Sequence, residues 1–144
     1  MNNNVVYQSY FDSELETRED VFSFIAEIVS EGEPTYKENI IAQLKQREAL
    51  GSTYIAEHVL LPHVESNQVK KSQILFIRLA RPIKKWDTQT KDIQLLIVIL
   101  LKENENVRIK REIAAFTRSL ADEEYIYRLL SMKEQDFENE FKQN

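Results

Sequence analysis

Three residues in the segment "REALGSTYIAEHVLLPH", positions 47–63, are equipped for chemistry: Arg47, His58 and His63. The two histidines are five apart, so on a strand they face opposite sides and on a helix they miss the same-face spacing of three or four. No shared metal is expected from them, and the chain has neither a cysteine nor an H-E-x-x-H pattern to offer instead. His58 reads as a surface or half-buried strand residue. His63 is placed differently. Pro62 before it cannot continue a ladder and "VESNQVKK" after it turns polar, so its ring is expected where a strand leaves the sheet. Open α/β sheets place their sites beyond strand ends. A loop-capping histidine with a backbone partner would have the same surroundings, and spacing alone does not separate the two.

A free imidazole titrates near ~6.5 and is roughly 90% neutral one unit higher, so a histidine is already nucleophilic near neutral pH and needs no activating base. A serine would need one, and no serine–histidine–acid arrangement is visible in the spacing. A phosphoryl group accepted on the ring would bring about two negative charges and call for a guanidinium or backbone N–H groups nearby. Arg47, at the end of a predicted helix, could supply the guanidinium. A cation in a last helical turn also favours the helix dipole by ~0.3–1 kcal/mol with no further purpose. The basic residues Lys70, Lys71, Arg78, Arg81, Lys84 and Lys85 flank an apolar run and read as its solvated ends.

These side chains need a scaffold, and 144 residues suffice for one domain spanning 1–144, with folding removing roughly 70% of the surface of the unfolded chain. The composition, 42% hydrophobic and 30% charged with two Gly and three Pro, is that of a helix-rich globular domain. The net charge of −5 argues against a general nucleic-acid binder. "MNNNVVYQSYF" has no signal-peptide pattern, and the longest apolar run, 95–101, is far short of the ~20 residues of a membrane span. The expectation is a cytoplasmic protein without membrane insertion; its oligomeric state is open.

Thr17 is the expected N-cap of a first helix carrying Val21, Phe24, Ile25, Ile28 and Val29, ended by Gly32 and Pro34. Thr35 with Glu38 has the form of a capping box for a second helix, with Ile40, Ile41 and Leu44 inward and Gly51 as its stop. "HVLLP" reads as a short strand. "QILFIRLA" (73–80) and "DIQLLIVILL" (92–101) read as strands covered on both faces, joined by a polar connection over 81–91. Helical spacing then returns with Val107, Ile113, Phe116 and Leu120 inward. Asp122 caps "EEYIYRLL", and Ser131 with Glu134 opens a last helix carrying Phe137 and Phe141. This order predicts a layered α/β domain without internal repeats.

The segment "REALGSTYIAEHVLLPH" resembles the site segment of fructose/mannitol-type enzyme IIA domains of the bacterial sugar phosphotransferase system (PTS), where R-E, then S-T, then a hydrophobic strand lead to P-H. The preceding helices, "SQILFIRLARPIKKW", "IQLLIVILL" and "FTRSLADEEYIYRLL" are similar to that family in order and length, from about Thr17 to Leu130. The resemblance implies an α/β/α domain with a small mixed sheet, acting without a cofactor as a cytoplasmic phosphocarrier. Its histidine would take a phosphoryl group from HPr and pass it to an enzyme IIB during sugar import. His63 falls on the family's phosphorylated histidine and Arg47 on the arginine beside it. The chain departs from the family's glycine-rich pattern, approximately G-I-G-x-G-V-A-I-P-H-G, by carrying Tyr54, Ala56, His58 and Val64 at glycine positions. The family's second histidine, at the start of the helix after the long strand, is absent from "NENVRIKREI"; Arg108 lies in that region without an assigned role. Two other readings stand beside transport. One is a regulatory enzyme IIA-like protein whose phosphorylation state controls a transcription regulator or other partner, and the other is an interaction domain in which His63 only caps a loop.

Overall fold

The two long apolar runs become the centre of one mixed sheet. The computed structural model describes residues 5–31 and 33–142. In chain order the elements are β1 (Val6–Ser13), α1 (Arg18–Ser30), α2 (Pro34–Leu50), β2 (Tyr54–Ala56), β3 (Val59–Leu60), β4 (His63–Ser66), β5 (Gln73–Lys85), β6 (Lys91–Lys102), α3 (Val107–Ser119), α4 (Glu123–Ser131) and α5 (Glu134–Phe141). The sheet order is β1-β5-β6-β3-β2, with β4 also on β6. β1 runs parallel to β5, β5 antiparallel to β6, β3 and β4 parallel to β6, and β2 antiparallel to β3.

Helices cover both faces, giving the α/β/α layering. On one side Leu75, Ile77, Leu96, Val98 and Leu100 of the sheet pack with Phe22, Ile25, Ile40 and Leu44 of α1 and α2. On the other, Ile74, Phe76, Leu95, Ile97 and Ile99 meet Ile113, Phe116, Leu129 and Phe137 of α3, α4 and α5. This two-sided burial is why β6 reads as an unbroken apolar run, each such side chain contributing ~1.5–3 kcal/mol on leaving water. Phe76 lies at the centre of an aromatic group, with ring centroids 4.8 Å from Phe137 and 5.7 Å from Phe116.

Several local expectations hold. The Thr17 side chain accepts from the Asp20 N–H at the start of α1, and the Asp122 side chain accepts from Glu124 and Tyr125 N–H at the start of α4. Gly51 caps the C-terminus of α2. Others are corrected. Thr35 and Glu38 form no capping box: α2 begins at Pro34, whose missing N–H suits the first helical position, after Glu33, which makes no side-chain cap. Ser131 and Glu134 form none either, because Ser131 belongs to α4 and its hydroxyl donates back to the Tyr127 carbonyl. Gly32, expected to end the first helix, lies outside the described residues.

The connection expected over 81–91 is mostly strand. β5 continues to Lys85, Ile83 and Trp86 are buried, and only 86–90 turn, with the Asp87 carboxylate accepting from the N–H groups of Gln89 and Thr90 at 2.8 and 2.7 Å. Pro82 is accommodated where the β5–β6 register shifts between Arg78 and Ile83. "HVLLP" is not one strand either: pairing with β6 stops after Leu60 and resumes at His63. Val107, expected inward, is 60% exposed, and Ile109 takes its place in the core. β1 was not foreseen; most of its residues are half-buried, so it lacks the alternation that marks a surface strand. Among the described residues no helix is long and apolar enough to cross a membrane.

Candidate functional site

His63 is held by its backbone neighbours. The Pro62 carbonyl accepts from the Ile99 N–H at 2.9 Å, and from His63 onward β4 pairs residue by residue with Ile99 to Lys102. One position earlier, the Leu61 N–H donates to the Thr53 carbonyl at 2.8 Å, tying the segment before Pro62 to the loop that leaves α2. His63 and Glu65 share one exposed face of β4, while Val64 and Ser66 are buried on the other. The ring therefore sits at the start of a strand, just past an interruption, and not at the strand end the sequence predicted. Pro62 is the physical cause, since it has no N–H to give β6.

The last turn of α2 brings Arg47 to the ring. Its Nε–H donates to His63 Nε2 at 3.2 Å, and its Nη1–H donates to the Gly51 carbonyl at 2.9 Å. Gly51 has φ 155°, a conformation that would strain a side-chain-bearing residue, and it aims this carbonyl back at the guanidinium. Accepting from Arg47 fixes the protonation pattern: Nε2 carries the lone pair, so the neutral ring bears its proton on Nδ1. Nη2 has no hydrogen-bond partner among the described residues and remains available.

Glu48, the neighbour of Arg47, anchors the same turn from inside. Its carboxylate accepts from Trp86 Nε1–H at 2.8 Å and from Arg18 Nη1–H at 3.3 Å. Burial pushes its carboxyl above the ordinary glutamate range, and the Trp86 and Arg18 contacts pull partly back. Sequence reasoning assigned no role to Glu48, Trp86 or Arg18. Contacts spanning 38 and 30 residues leave no local pattern to read.

The remaining candidates lie elsewhere. His58 is in the β2–β3 turn with φ 72°, not in a strand, and its Nδ1 bonds the Asp92 carbonyl at 2.7 Å. Its ring takes no part in the Arg47–His63 contact. Arg108 is exposed in the first turn of α3. Arg78 is no solvated strand end. It is half-buried, stacks on Phe11 at 3.9 Å, and donates to the carbonyls of Leu129, Leu130 and Met132 at the C-terminus of α4.

The model of the family described as "Phosphoenolpyruvate-dependent sugar phosphotransferase system, EIIA 2" matches residues 7–144. The chain belongs to this family. As an EIIA 2 domain it is a phosphotransfer component of the sugar phosphotransferase system. It is 30% identical over 116 residues to the PTS system mannitol-specific EIICBA component of Klebsiella pneumoniae, a match covering 78% of this chain and 18% of that protein. The chain spans only 10% to 18% of the length of the curated relatives it matches. Its fold is that of the nitrogen regulatory protein IIA-Ntr of Neisseria meningitidis, with a TM-score of 0.71 at 19% identity over 90% of this chain and 88% of that one. It is also that of the mannitol enzyme IIA solved in complex with phosphorylated mannitol enzyme IIB from Escherichia coli, with a TM-score of 0.63 at 22% identity and 91% of each chain covered. Against the family's glycine-rich pattern, this EIIA 2 domain keeps a glycine-like backbone at His58, whose φ of 72° lies in the left-handed region. Tyr54 and Ala56 are ordinary strand residues of β2.

Proposed function

We propose that residues 1–144 form a single EIIA 2 domain that accepts a phosphoryl group from phosphorylated HPr on His63 and passes it to an enzyme IIB during sugar uptake, in the cytoplasm. The observation that carries this reading is the contact of the Arg47 guanidinium with the exposed His63 ring, 3.2 Å from Nε2. The nitrogen that accepts from Arg47 is the one with a lone pair to attack phosphorus. As the new N–P bond forms, the bond from phosphorus to the donor's nitrogen breaks and its electron pair returns to the donor ring. The guanidinium must then move from Nε2 to the phosphoryl oxygens, which it can do while Nη1 stays on the Gly51 carbonyl and Nη2 turns to a second oxygen.

Donor and acceptor are both nitrogen-linked, so the exchange is close to balanced, and the protein's contribution is positioning and charge stabilisation. The site is open, as transfer between two proteins requires. Leu50 at 84% and Tyr54 at 51% exposure flank the Arg47–Gly51 turn and offer apolar surface to a partner. The solved complex of a mannitol enzyme IIA with enzyme IIB, on the same fold, supports an enzyme IIB as the acceptor.

The test is to incubate the protein with enzyme I, HPr and labelled phosphoenolpyruvate, beside His63→Ala. Acid-labile label on the native protein and none on the variant is expected. A folded native protein that takes no label would leave His63 as a loop cap. Passage of the label to an enzyme IIB, as opposed to phosphorylation-dependent binding of a regulator, separates transport from the regulatory alternative.

A further inference from the structure

Beside His63 lies a cavity of about 270 Å³, walled by Leu61, Ile99 and Leu101 and by Thr117 of α3. The Thr117 hydroxyl is turned to its own helix, donating to the Ile113 carbonyl at 2.9 Å, so it brings no donor to the cavity. Among the described residues, the only ionisable side chain lining the cavity besides His63 is Glu65. It stands two positions along the strand on the same exposed face, and among the described residues its carboxylate has no ion-pair or hydrogen-bond partner. An unpaired carboxylate beside a nucleophilic ring does nothing for the ring's own packing. It matters once a dianion is attached.

We propose that Glu65 sets the transfer potential of the phosphorylated carrier, its carboxylate repelling the phosphoryl group on His63 across the shared cavity and so favouring donation over retention. The inference rests on His63 being the phosphoacceptor. Arg47 and Glu65 then act in opposition on one group. The guanidinium stabilises the charge during transfer, and the carboxylate keeps the product from becoming a sink. Transfer itself stays balanced: one N–P bond forms on His63 as the donor's N–P bond breaks, with no water or co-reactant consumed. Residues two apart on a strand are ~7 Å apart. A unit charge facing a phosphoryl group of about −1.5 to −2 at that distance changes the exchange equilibrium roughly four- to sevenfold in water-like surroundings, and less as salt is added.

The experiment equilibrates native protein, Glu65→Gln and Glu65→Asp with phosphorylated and unphosphorylated HPr. It measures the equilibrium constant for phosphoryl exchange at low and at high salt. Glu65→Gln should raise the phosphorylated fraction of the carrier by that factor at low salt and approach the native value at high salt, while Glu65→Asp, which keeps the charge, should stay near native. A Glu65→Gln constant equal to or below native at low salt, with label still on His63, overturns the role of Glu65 and leaves the phosphocarrier reading intact. Absence of label on native protein, or label that persists in His63→Ala, overturns both.

Discussion

Replacing Arg47 separates a role in phosphoryl transfer from a role in holding α2 together. In Arg47→Ala two hydrogen bonds are lost, one to His63 Nε2 and one to the Gly51 carbonyl. In the ground state both are modest: the site is open to water, and a cation in a last helical turn is worth ~0.3–1 kcal/mol. The fold should therefore lose no more than about 1.5 kcal/mol, in line with a net hydrogen-bond contribution of ~0.5–1.5 kcal/mol. In the transition state of the proposed transfer the same guanidinium would face a phosphoryl group, and hydrogen bonds to charged groups contribute ~1.5–3 kcal/mol. Taking ~1.5–2.5 kcal/mol for a solvent-exposed site gives a slowing of roughly 10- to 70-fold at 1.36 kcal/mol per decade. Arg47→Lys should fall between, because a point charge on a flexible stem cannot span the Gly51 carbonyl and the phosphoryl oxygens as a planar fork does. The assay is single-turnover transfer from phosphorylated HPr by rapid quench, with thermal unfolding measured on the same preparations. A folded Arg47→Ala protein that transfers within twofold of native would refute the reasoning. So would a variant whose loss of activity tracks a loss of fold.

Two further outcomes follow from groups outside the reacting pair. Arg78→Met removes the cation that closes three carbonyls at the C-terminus of α4 while keeping the stem's volume over Phe11, and it should destabilise the protein by ~2–3 kcal/mol in urea denaturation without altering transfer rates in folded protein. The carboxyl of Glu48 is raised by burial above its ordinary value of 4.5, so between that value and the raised one the folded state holds more protons than the unfolded state. Stability contributed by Glu48 is therefore present at and below pH 4.5 and lost as pH rises through its folded value. Denaturant midpoints of native protein and Glu48→Gln against pH should differ by this falling slope, and parallel curves would contradict it.

The sequence made the framework of this domain legible where burial was strong and local. Leu95 to Leu101 showed a strand covered on both sides because both helical layers meet it, and Thr17 and Asp122 showed helix starts because a cap is read from four adjacent residues. Elements defined by distant partners were not legible. β1 acquires its place only by pairing with β5, more than 60 residues on, and the Glu48–Trp86–Arg18 cluster joins three separate segments. The two capping-box patterns failed because a serine or threonine with a glutamate three residues later is frequent inside helices, and the start is decided by where tertiary packing begins.

At the site, Arg47 and His63 were found from residue type and order, and the structure brings them together. The strand boundary around His63 was misplaced because Pro62 interrupts the β6 partner without ending it. Glu65 had a usable signal. It lies at the second position after His63 in a short strand, and alternation alone places it on the histidine's face. His58 shows the opposite case. Its left-handed φ of 72° is invisible in a histidine, and only the glycine usual there in the family hints at it.

The most direct test of the central claim is a proton–nitrogen correlation spectrum of the histidine rings, recorded before and after phosphorylation by HPr. The account predicts that in free His63 Nε2 is the nitrogen that accepts from Arg47 and Nδ1 the one that carries the proton, and that phosphorylation attaches phosphorus to Nε2 with no change in the His58 signals. Phosphorus on Nδ1, or a shift confined to His58, would contradict it.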